Sequence, residues 1–278
     1  MLPNLGLCSW SLRGTDAPAL VTRLRTLEIE FVQLALVPCI DDERWAGGVE
    51  YLRGEGIGIV SGMLSMAGED YSTLGSIALT GGVRSDAHWG ENLDRALRVA
   101  EFANKHAIDL VTLHAGFIPH THGDRLRAVM LDRLRTVADI FAQRGIAIAL
   151  ETGQEAAETL AEALDELDRP TVGVNFDPAN MILYGMGDPV EAVARLSPWL
   201  RQVHIKDATP TLHPGTWGTE VAVGSGSVEW TPFLDSVKRA RTPTRQIDLI
   251  IERESGACTD DDIVAARDLV RRHMCTIV

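Results

Sequence analysis

Short runs of hydrophobic residues alternate along this chain with longer stretches in which polar and apolar residues recur at helical spacing. A run rich in Val, Ile and Leu is typical of a buried parallel strand, and its alternation with amphipathic stretches is typical of βα units. Eight such strands, with helices between them, predict an α/β fold in which one closed (β/α)₈ barrel domain covers residues 1–278. The predicted strands are 5–9, 31–36, 57–63, 110–114, 146–151, 171–176, 201–205 and 248–252.

Amphipathic stretches between these runs predict the helices. In the clearest one, residues 92–106, Leu93 and Phe102 belong to an apolar face, and Arg95 and Glu101 belong to the opposite, charged face. The same spacing predicts further helices at 124–144, 155–167, 189–196, 231–240 and 260–273.

Two connections are much longer than the others. Residues 67–88 follow the third predicted strand, and residues 207–230 follow the seventh. Connections of this length inside a compact domain are usually functional or disordered. Since both follow strands, we expect them to lie over the carboxyl face of the barrel, where substrate contacts belong in this architecture.

Four successive hydrophobic runs each end in a polar residue that is able to bind a metal. These residues are Glu151, Asp177, His204 and Glu252. Any one of them alone is more often a helix cap or a hydrogen-bonded rim residue. Together they put three carboxylates and one imidazole at the carboxyl ends of neighbouring strands, a ligand set suited to Mn²⁺, Mg²⁺ or Zn²⁺. The sequence therefore predicts a divalent metal site.

Four motifs surround these residues, and a fifth follows the seventh strand: LETG, NFDPAN, VHIKDA and IERE, with VGSGSVEW the fifth. Together they resemble the xylose-isomerase-like superfamily of sugar isomerases and epimerases, which have the TIM-barrel fold. The resemblance implies one divalent metal ion, with Mn²⁺ favoured over Mg²⁺, Zn²⁺ or Co²⁺, bound by Glu151, Asp177, His204 and Glu252. It further implies that Glu151 and Glu252 are the catalytic acid/base pair of an enediolate mechanism.

Residues close to these motifs are candidates for substrate contacts. His114 ends the fourth strand, and Lys206 alternates with His204 so that both face the same side of their strand. Asn180 follows the Asp of NFDPAN by one helical turn. Trp217 lies in a long polar connection, where an aromatic residue has no core to join. Asp207 is predicted to support a metal ligand or to cap a backbone turn.

Two further features are weaker candidates. Trp10, Trp89 and Phe117 are aromatic residues that could pack against a sugar, but most aromatic residues in a chain belong to the core. The GSGS segment, residues 224–227, could bind a phosphate through backbone N–H groups. It lacks the lysine that usually accompanies such a loop.

Composition narrows the class of partner. The formal net charge of −13 argues against nucleic acid, which requires a basic surface. The chain has no apolar stretch of transmembrane length, and its first residues do not have the pattern of a signal peptide. Cys8, Cys39, Cys258 and Cys275 show no paired spacing, which favours free thiols and a cytoplasmic location. We expect a small carbohydrate-like substrate, and the composition is compatible with a homo-oligomer.

Three alternative functions compete with isomerisation. A dehydratase of a cyclitol or keto-sugar shares the metal and the first proton abstraction. An abasic-site endonuclease of the same superfamily needs additional histidines, but Asn180 occupies one such position and the following connection offers only His213. A non-catalytic sugar-binding protein has no need of both glutamates. The hypothesis that the enzyme is a 3-epimerase of free ketoses is weakened, because residues 208–210, shortly after His204, contain no arginine of the kind that some ketose epimerases have there.

Overall fold

Eight parallel strands close into a barrel in the computed structural model, which describes residues 3–12, 16–213, 215–242, 246–256 and 259–275. The order around the barrel follows the chain order, and the last barrel strand pairs with the first. This architecture confirms the predicted (β/α)₈ barrel. The barrel strands are β1 (Leu5–Cys8), β2 (Phe31–Ala35), β3 (Gly58–Met63), β4 (Leu110–Leu113), β5 (Ala147–Glu151), β6 (Val172–Phe176), β7 (Leu200–Ile205) and β10 (Asp248–Ile251).

Helices surround the barrel, and the hydrophobic core fills the space between the strands and the helices. In this layer the ring of Phe176 on β6 is 5.6 Å from the ring of Phe233, which lies on the helix Trp230–Ala240. The helices are α1 (Ala17–Thr26), α2 (Leu36–Asp41), α3 (Gly48–Gly54), α4 (Leu74–Thr80), α5 (Trp89–Lys105), α6 (Arg125–Ala142), α7 (Ala157–Leu167), α8 (Pro178–Tyr184), α9 (Pro189–Leu196), α10 (Trp230–Ala240) and α11 (Asp260–Cys275).

Five helices were not predicted from hydrophobic spacing. These are α1, α2, α3, α4 and α8, all of ten residues or fewer. Two or three turns contain too few positions to show a 3.6-residue period. Their starts do carry local signals: Asp16 caps α1 and Asp177 caps α8, and a proline stands in the first turn of each.

The two long connections contain more regular structure than the sequence predicted. Residues 67–88 include α4, which begins with a capping box between Thr73 and Ser76. Residues 207–230 include a short antiparallel hairpin of β8 (Asp207–Thr209) and β9 (Thr219–Val221), in which Ala208 pairs with Glu220. We call residues 207–230 the lid. Both connections contribute side chains to the cavity at the carboxyl end of the barrel, as expected.

Two of the four cysteines can be compared with the prediction. Cys8 and Cys39 are buried and unpaired, as predicted for free thiols. Cys258 and the side chain of Cys275 lie outside the described residues. Among the helices that the structure describes, none combines the length and the apolar character that crossing a membrane requires.

Candidate metal centre

The four predicted ligands meet at the carboxyl end of the barrel. Glu151 ends β5, Asp177 follows β6, His204 lies in β7, and Glu252 follows β10. One ligand atom from each lies within 4.8 Å of the others, and all four residues are at most 3% exposed. Because β5, β6, β7 and β10 are neighbours in this order, Asp177 and His204 lie between the two glutamates.

His204 presents one ring nitrogen to the cluster and the other to the barrel interior. Its Nε2 is 2.9 Å from Oε1 of Gln33, a side chain that is fully buried on β2. Its Nδ1 is 3.6 Å from carboxylate oxygens of both Glu151 and Asp177, and 3.3 Å from Glu252 Oε2. Nδ1 makes no hydrogen bond. When Nε2–H donates to Gln33, the Nδ1 lone pair faces the carboxylates, the tautomer that a metal ligand needs.

Asp177 divides its two carboxylate oxygens between a helix cap and the cluster. Oδ1 accepts the backbone N–H of Asn180 at 2.9 Å and so caps α8. Oδ2 is buried and has no hydrogen-bond partner, as is also true of the facing His204 Nδ1. A buried polar atom without a partner is costly, and here two of them face one another beside two further carboxylates. This donor set fits a divalent cation.

The glutamates are held by donors from outside the cluster. Glu151 accepts hydrogen bonds from the side-chain amides of Asn180 at 3.0 Å and Asn175 at 3.2 Å. Glu252 accepts one from the indole N–H of Trp10 at 2.7 Å and one from the Lys206 ammonium at 2.8 Å. Both carboxylates are therefore fixed in position before any ligand binds.

The electrostatics of the cluster keep the glutamates ionised. Burial raises the pKa of Glu252, but Lys206 and His204 lower it more, so that it lies well below its usual range. For Glu151, burial again raises the pKa, and His114 and His204 bring it below the ordinary value. Burial lowers the pKa of His204, but Glu252 and its other acidic neighbours raise it well above the usual value. The surrounding carboxylates thus favour the charged form of His204, and a bound metal cation would supply that positive charge in its place.

Lys206 joins two carboxylates at the edge of the cluster. Its Nζ is 2.8 Å from Glu252 Oε2 and 2.8 Å from Glu254 Oε2, and it is 3.7 Å from Asp177 Oδ2. Burial lowers the pKa of this ammonium, but Glu252 and Glu254 raise it well above its usual value. Lys206 was predicted from the sequence, whereas Glu254 was missed. The signal was present, because Glu254 is two residues beyond Glu252 and follows the same strand.

A cavity of about 820 Å³ opens above the cluster. The four predicted substrate contacts, His114, Asn180, Lys206 and Trp217, all line it, and His114 Nε2 is 3.8 Å from Glu151 Oε1. Trp10 lines it as well. Trp89 does not, because it packs under the guanidinium of Arg133.

Two tyrosines in the cavity wall were not predicted. The Tyr184 ring lies 4.9 Å from that of Trp217 and 5.6 Å from that of Phe117, and Tyr71 lies 6.2 Å from the His114 ring. Tyr184 ends the short helix α8, and Tyr71 precedes α4. The sequence could not place either tyrosine in the cavity wall, because α4 and α8 were not predicted. The rings give the cavity a largely apolar wall opposite the carboxylates.

Asp207 does not join the metal cluster; its carboxylate binds the lid. Oδ2 accepts the backbone N–H groups of Gly224 and Gly226 and the indole N–H of Trp230, at 2.9, 3.2 and 3.0 Å. Oδ1 accepts the N–H groups of Ala208 and Val228 at 2.9 and 3.1 Å. In the GSGS segment, which the sequence offered as a phosphate site, the N–H groups of Gly224 and Gly226 are therefore directed at this carboxylate, and those of the two serines donate to backbone carbonyls.

Replacing Asp207 by Asn should destabilise the protein by about 1–3 kcal/mol, because an amide NH₂ then faces buried N–H donors that had an acceptor. Urea denaturation of the two proteins measures the difference. Asp188→Asn is the matched control, since Asp188 caps α9 at the surface and Asn caps equally well. Equal stability of Asp207→Asn and Asp188→Asn would show that the lid does not depend on this carboxylate.

Comparison with known proteins supports the barrel fold. A family model described as xylose isomerase-like TIM barrel matches residues 21–273. A xylose isomerase domain protein from Planctomyces limnophilus is similar in structure, with 26% identity, a TM-score of 0.84, and alignment of 99% of this chain with 98% of that one. None of the curated proteins searched matches the sequence.

Two further solved structures share the fold at lower identity. The probable 3-DHS dehydratase AsbF from Bacillus anthracis has 18% identity and a TM-score of 0.73, with 96% of this chain and 98% of that chain aligned. A D-psicose 3-epimerase from Clostridium cellulolyticum H10, solved with D-tagatose, has 13% identity and a TM-score of 0.72, with 98% and 99% aligned. One barrel thus serves different reactions in these proteins.

Proposed function

The chain belongs to the xylose isomerase-like TIM barrel family, and we propose that it is a divalent-metal-dependent isomerase or epimerase of a small carbohydrate. Glu151, Asp177, His204 and Glu252 are the proposed metal ligands, with Mn²⁺ the favoured ion. The observation that carries the proposal is the pair of buried atoms without a hydrogen bond, His204 Nδ1 and Asp177 Oδ2, which face one another at 3.6 Å between two fixed glutamates.

A bound divalent cation would supply Lewis-acid stabilisation of the negative charge that forms when a carbon between a carbonyl and a hydroxyl group loses its proton. The proton itself is the task of the protein. Glu151 and Glu252 end strands on either side of Asp177 and His204, so a substrate that lies over this pair has one carboxylate at each end. One ionised glutamate removes the proton. The other takes up a proton from solvent and returns it to the enediolate, which gives isomerisation or epimerisation, and the first glutamate then releases its proton to solvent.

The surrounding residues prepare the glutamates for this task. The amides of Asn175 and Asn180 orient Glu151, and Trp10 and Lys206 orient Glu252. A base held in one orientation loses little entropy when the substrate binds. His114, 3.8 Å from Glu151, is the proposed donor to a substrate oxygen on the β5 side.

The proposal is tested by solvent exchange. The Mn²⁺-loaded protein, incubated in D₂O with D-psicose, D-tagatose and other ketoses, should introduce deuterium at the carbon next to the carbonyl, as observed by NMR. His204→Ala should lose both metal and exchange, whereas His213→Ala, at an exposed histidine of the lid, should keep both.

Three results would contradict the proposal. They are stoichiometric metal in His204→Ala, no metal in the wild type under any loading, and turnover without deuterium incorporation, which indicates internal hydride transfer. Exchange followed by loss of water from the product would instead identify a dehydratase, which shares the first proton abstraction.

A further inference from the structure

Acidic side chains dominate the charged lining of the cavity. Among the described residues it is lined by no arginine, and its one lysine is Lys206. His114 is the remaining basic group, and it lies beside Glu151. The lining carboxylates are Glu69, Glu151, Glu220, Glu252 and Glu254. A phosphate or carboxylate group of a substrate would need a free cation or a set of free N–H donors in this wall.

Lys206 is not free to bind such a group. Glu252 and Glu254 each accept a hydrogen bond from its Nζ at 2.8 Å, and Asp177 Oδ2 is 3.7 Å away. Two of the three ammonium protons are thus already directed at carboxylates, so an additional anion there would compete with Glu252 and Glu254. Lys206 remains able to donate its third proton to a neutral hydroxyl group.

Arg253, which lies between the cavity-lining Glu252 and Glu254 in the sequence, is engaged as well. Arg253 forms an ion pair with Glu220 at 2.7 Å and contacts Asp262 at 3.4 Å. Glu220 in turn accepts the backbone N–H groups of Glu254 and Ser255. These contacts tie the lid to the segment after β10, and they neutralise Glu220 without leaving a cationic group for a ligand.

The backbone N–H groups of the lid are occupied too. Asp207 takes those of Gly224, Gly226 and Val228, the segment that would otherwise be suited to a phosphate. Space is also lacking: a Cβ built at Gly226 would lie 2.1 Å from Asp207 Oδ1. The Asp207 carboxylate thus occupies the position from which a phosphate would accept these N–H groups.

Glu69 adds negative charge at the side of the cavity formed by residues 67–88. Its Oε1 accepts the backbone N–H of Gly82 at 3.0 Å, and the residue lines the cavity with Tyr71. The apolar part of the wall includes Met63 and Leu183, together with the Tyr184 and Trp217 rings, which contact each other. Apolar and aromatic surfaces suit the C–H faces of an uncharged polyol.

We infer that the cavity selects an uncharged polyhydroxy ketone and rejects the corresponding phosphorylated or carboxylated compounds. The inference rests on the proposed function for the hydroxy-ketone group itself. The charge preference follows from four features: the engaged Lys206, the engaged Arg253, the lid N–H groups bound by Asp207, and the carboxylates Glu69 and Glu254. Like charge against a wrong partner is a source of discrimination, and at the part-exposed Glu69 and Glu254 this repulsion is screened by salt.

Matched ligand pairs test the inference by binding rather than by turnover. Dihydroxyacetone is compared with dihydroxyacetone phosphate, and D-psicose with D-psicose 6-phosphate, on the Mn²⁺-loaded protein. Trp10 and Trp217 line the cavity and provide a fluorescence signal. The uncharged member of each pair should bind at least about tenfold more tightly, and the difference should shrink as salt is raised.

Charge-neutralising variants identify the residues responsible. Glu69→Gln and Glu254→Gln should each bring the Kd values of a pair closer together, mainly by improving the phosphorylated member. Glu191→Gln is the control, because Glu191 is exposed on α9, outside the barrel. It should leave the ratio of Kd values at its wild-type level.

The possible outcomes distinguish a failure of the inferred charge preference from a failure of the proposed reaction. Equal or tighter binding of the phosphorylated members overturns the inference, and so does failure of every uncharged member to bind. Deuterium exchange on a sugar phosphate would keep the proposed reaction and overturn only the charge preference. Tight binding of the uncharged members without exchange would keep the charge preference and overturn the reaction.

Discussion

Glu252→Gln should lower turnover by about 10²–10⁴-fold, equivalent to about 3–5 kcal/mol of transition-state stabilisation, because a positioned acid/base is lost. The amide oxygen still offers the metal a ligand and can accept from Trp10 or from Lys206, although not from both. Folding and part of the metal affinity should therefore survive. Turnover of the substrate that shows exchange, together with the metal content of each protein, provides the measurement.

The same experiment on Glu151→Gln distinguishes the two sides of the substrate. If Glu252 removes the proton, deuterium exchange survives in Glu151→Gln and is lost in Glu252→Gln, and the reverse holds if Glu151 is the base. Turnover is lost in both. Glu191→Gln, on the exposed face of α9, should behave as the wild type. Activity close to the wild type in both active-site variants would refute the two-glutamate mechanism.

Lys206→Met should lower the free energy of unfolding of the metal-free protein by about 3–5 kcal/mol, the usual cost of breaking a buried ion pair by removing one partner. Glu252 and Asp177 would be left buried with only His204 to balance them. Urea denaturation after chelation of metal measures the loss. Lys105→Met, at an exposed lysine at the end of α5, is the control and should change stability by less than about 0.5 kcal/mol.

The pH dependence of this variant follows from the directions of the pKa shifts. In the wild type the folded pKa of Glu252 is depressed, so its contribution to stability is complete above about 4.5 and is lost as the pH falls through the folded pKa. The folded pKa of Lys206 is raised, so its contribution is complete below about 10.5 and is lost as the pH rises through the folded pKa. Between these limits the pair contributes a constant amount.

Without Lys206, burial raises the carboxylate pKa values in the folded state. The stability of Lys206→Met should therefore fall, relative to the wild type, as the pH rises from 5 towards neutrality. A constant difference between the two proteins across this range would show that the carboxylates do not depend on Lys206 for their charge.

The sequence predicted the part of the site that lies on strands. Each predicted strand is a hydrophobic run, and the point where the run stops marks the carboxyl end of the strand. The positions of Glu151, Asp177, His204 and Glu252 at these ends therefore follow from the local pattern. The location of His114 on the cavity wall could be predicted for the same reason. The structure brings all five residues to one end of the barrel.

The parts that were not predicted depend on contacts distant in sequence. Gln33 and His204 are separated by 171 residues, and no local pattern shows that they form a hydrogen bond. Tyr184 faces the cavity because α8 turns there, and seven residues are too few to reveal that helix by period. Asp207 was expected to support a metal ligand or to cap a backbone turn, and the structure shows backbone contacts, but its partners apart from Ala208 lie 17 or more residues ahead in the lid.

Asp207 holds the two ends of the lid together, so that mutations within the lid need not affect the residues at the ends of the barrel strands. Asp207 binds Ala208 at one end of the lid and Val228 and Trp230 at the other, so the segment between them starts and finishes at a fixed point. Residues such as Trp217 can then be exchanged, or the hairpin lengthened, without displacing His204 on the preceding strand. Under the proposed function, mutation of the lid could therefore change the preference among substrates while the residues at the ends of the strands stay the same.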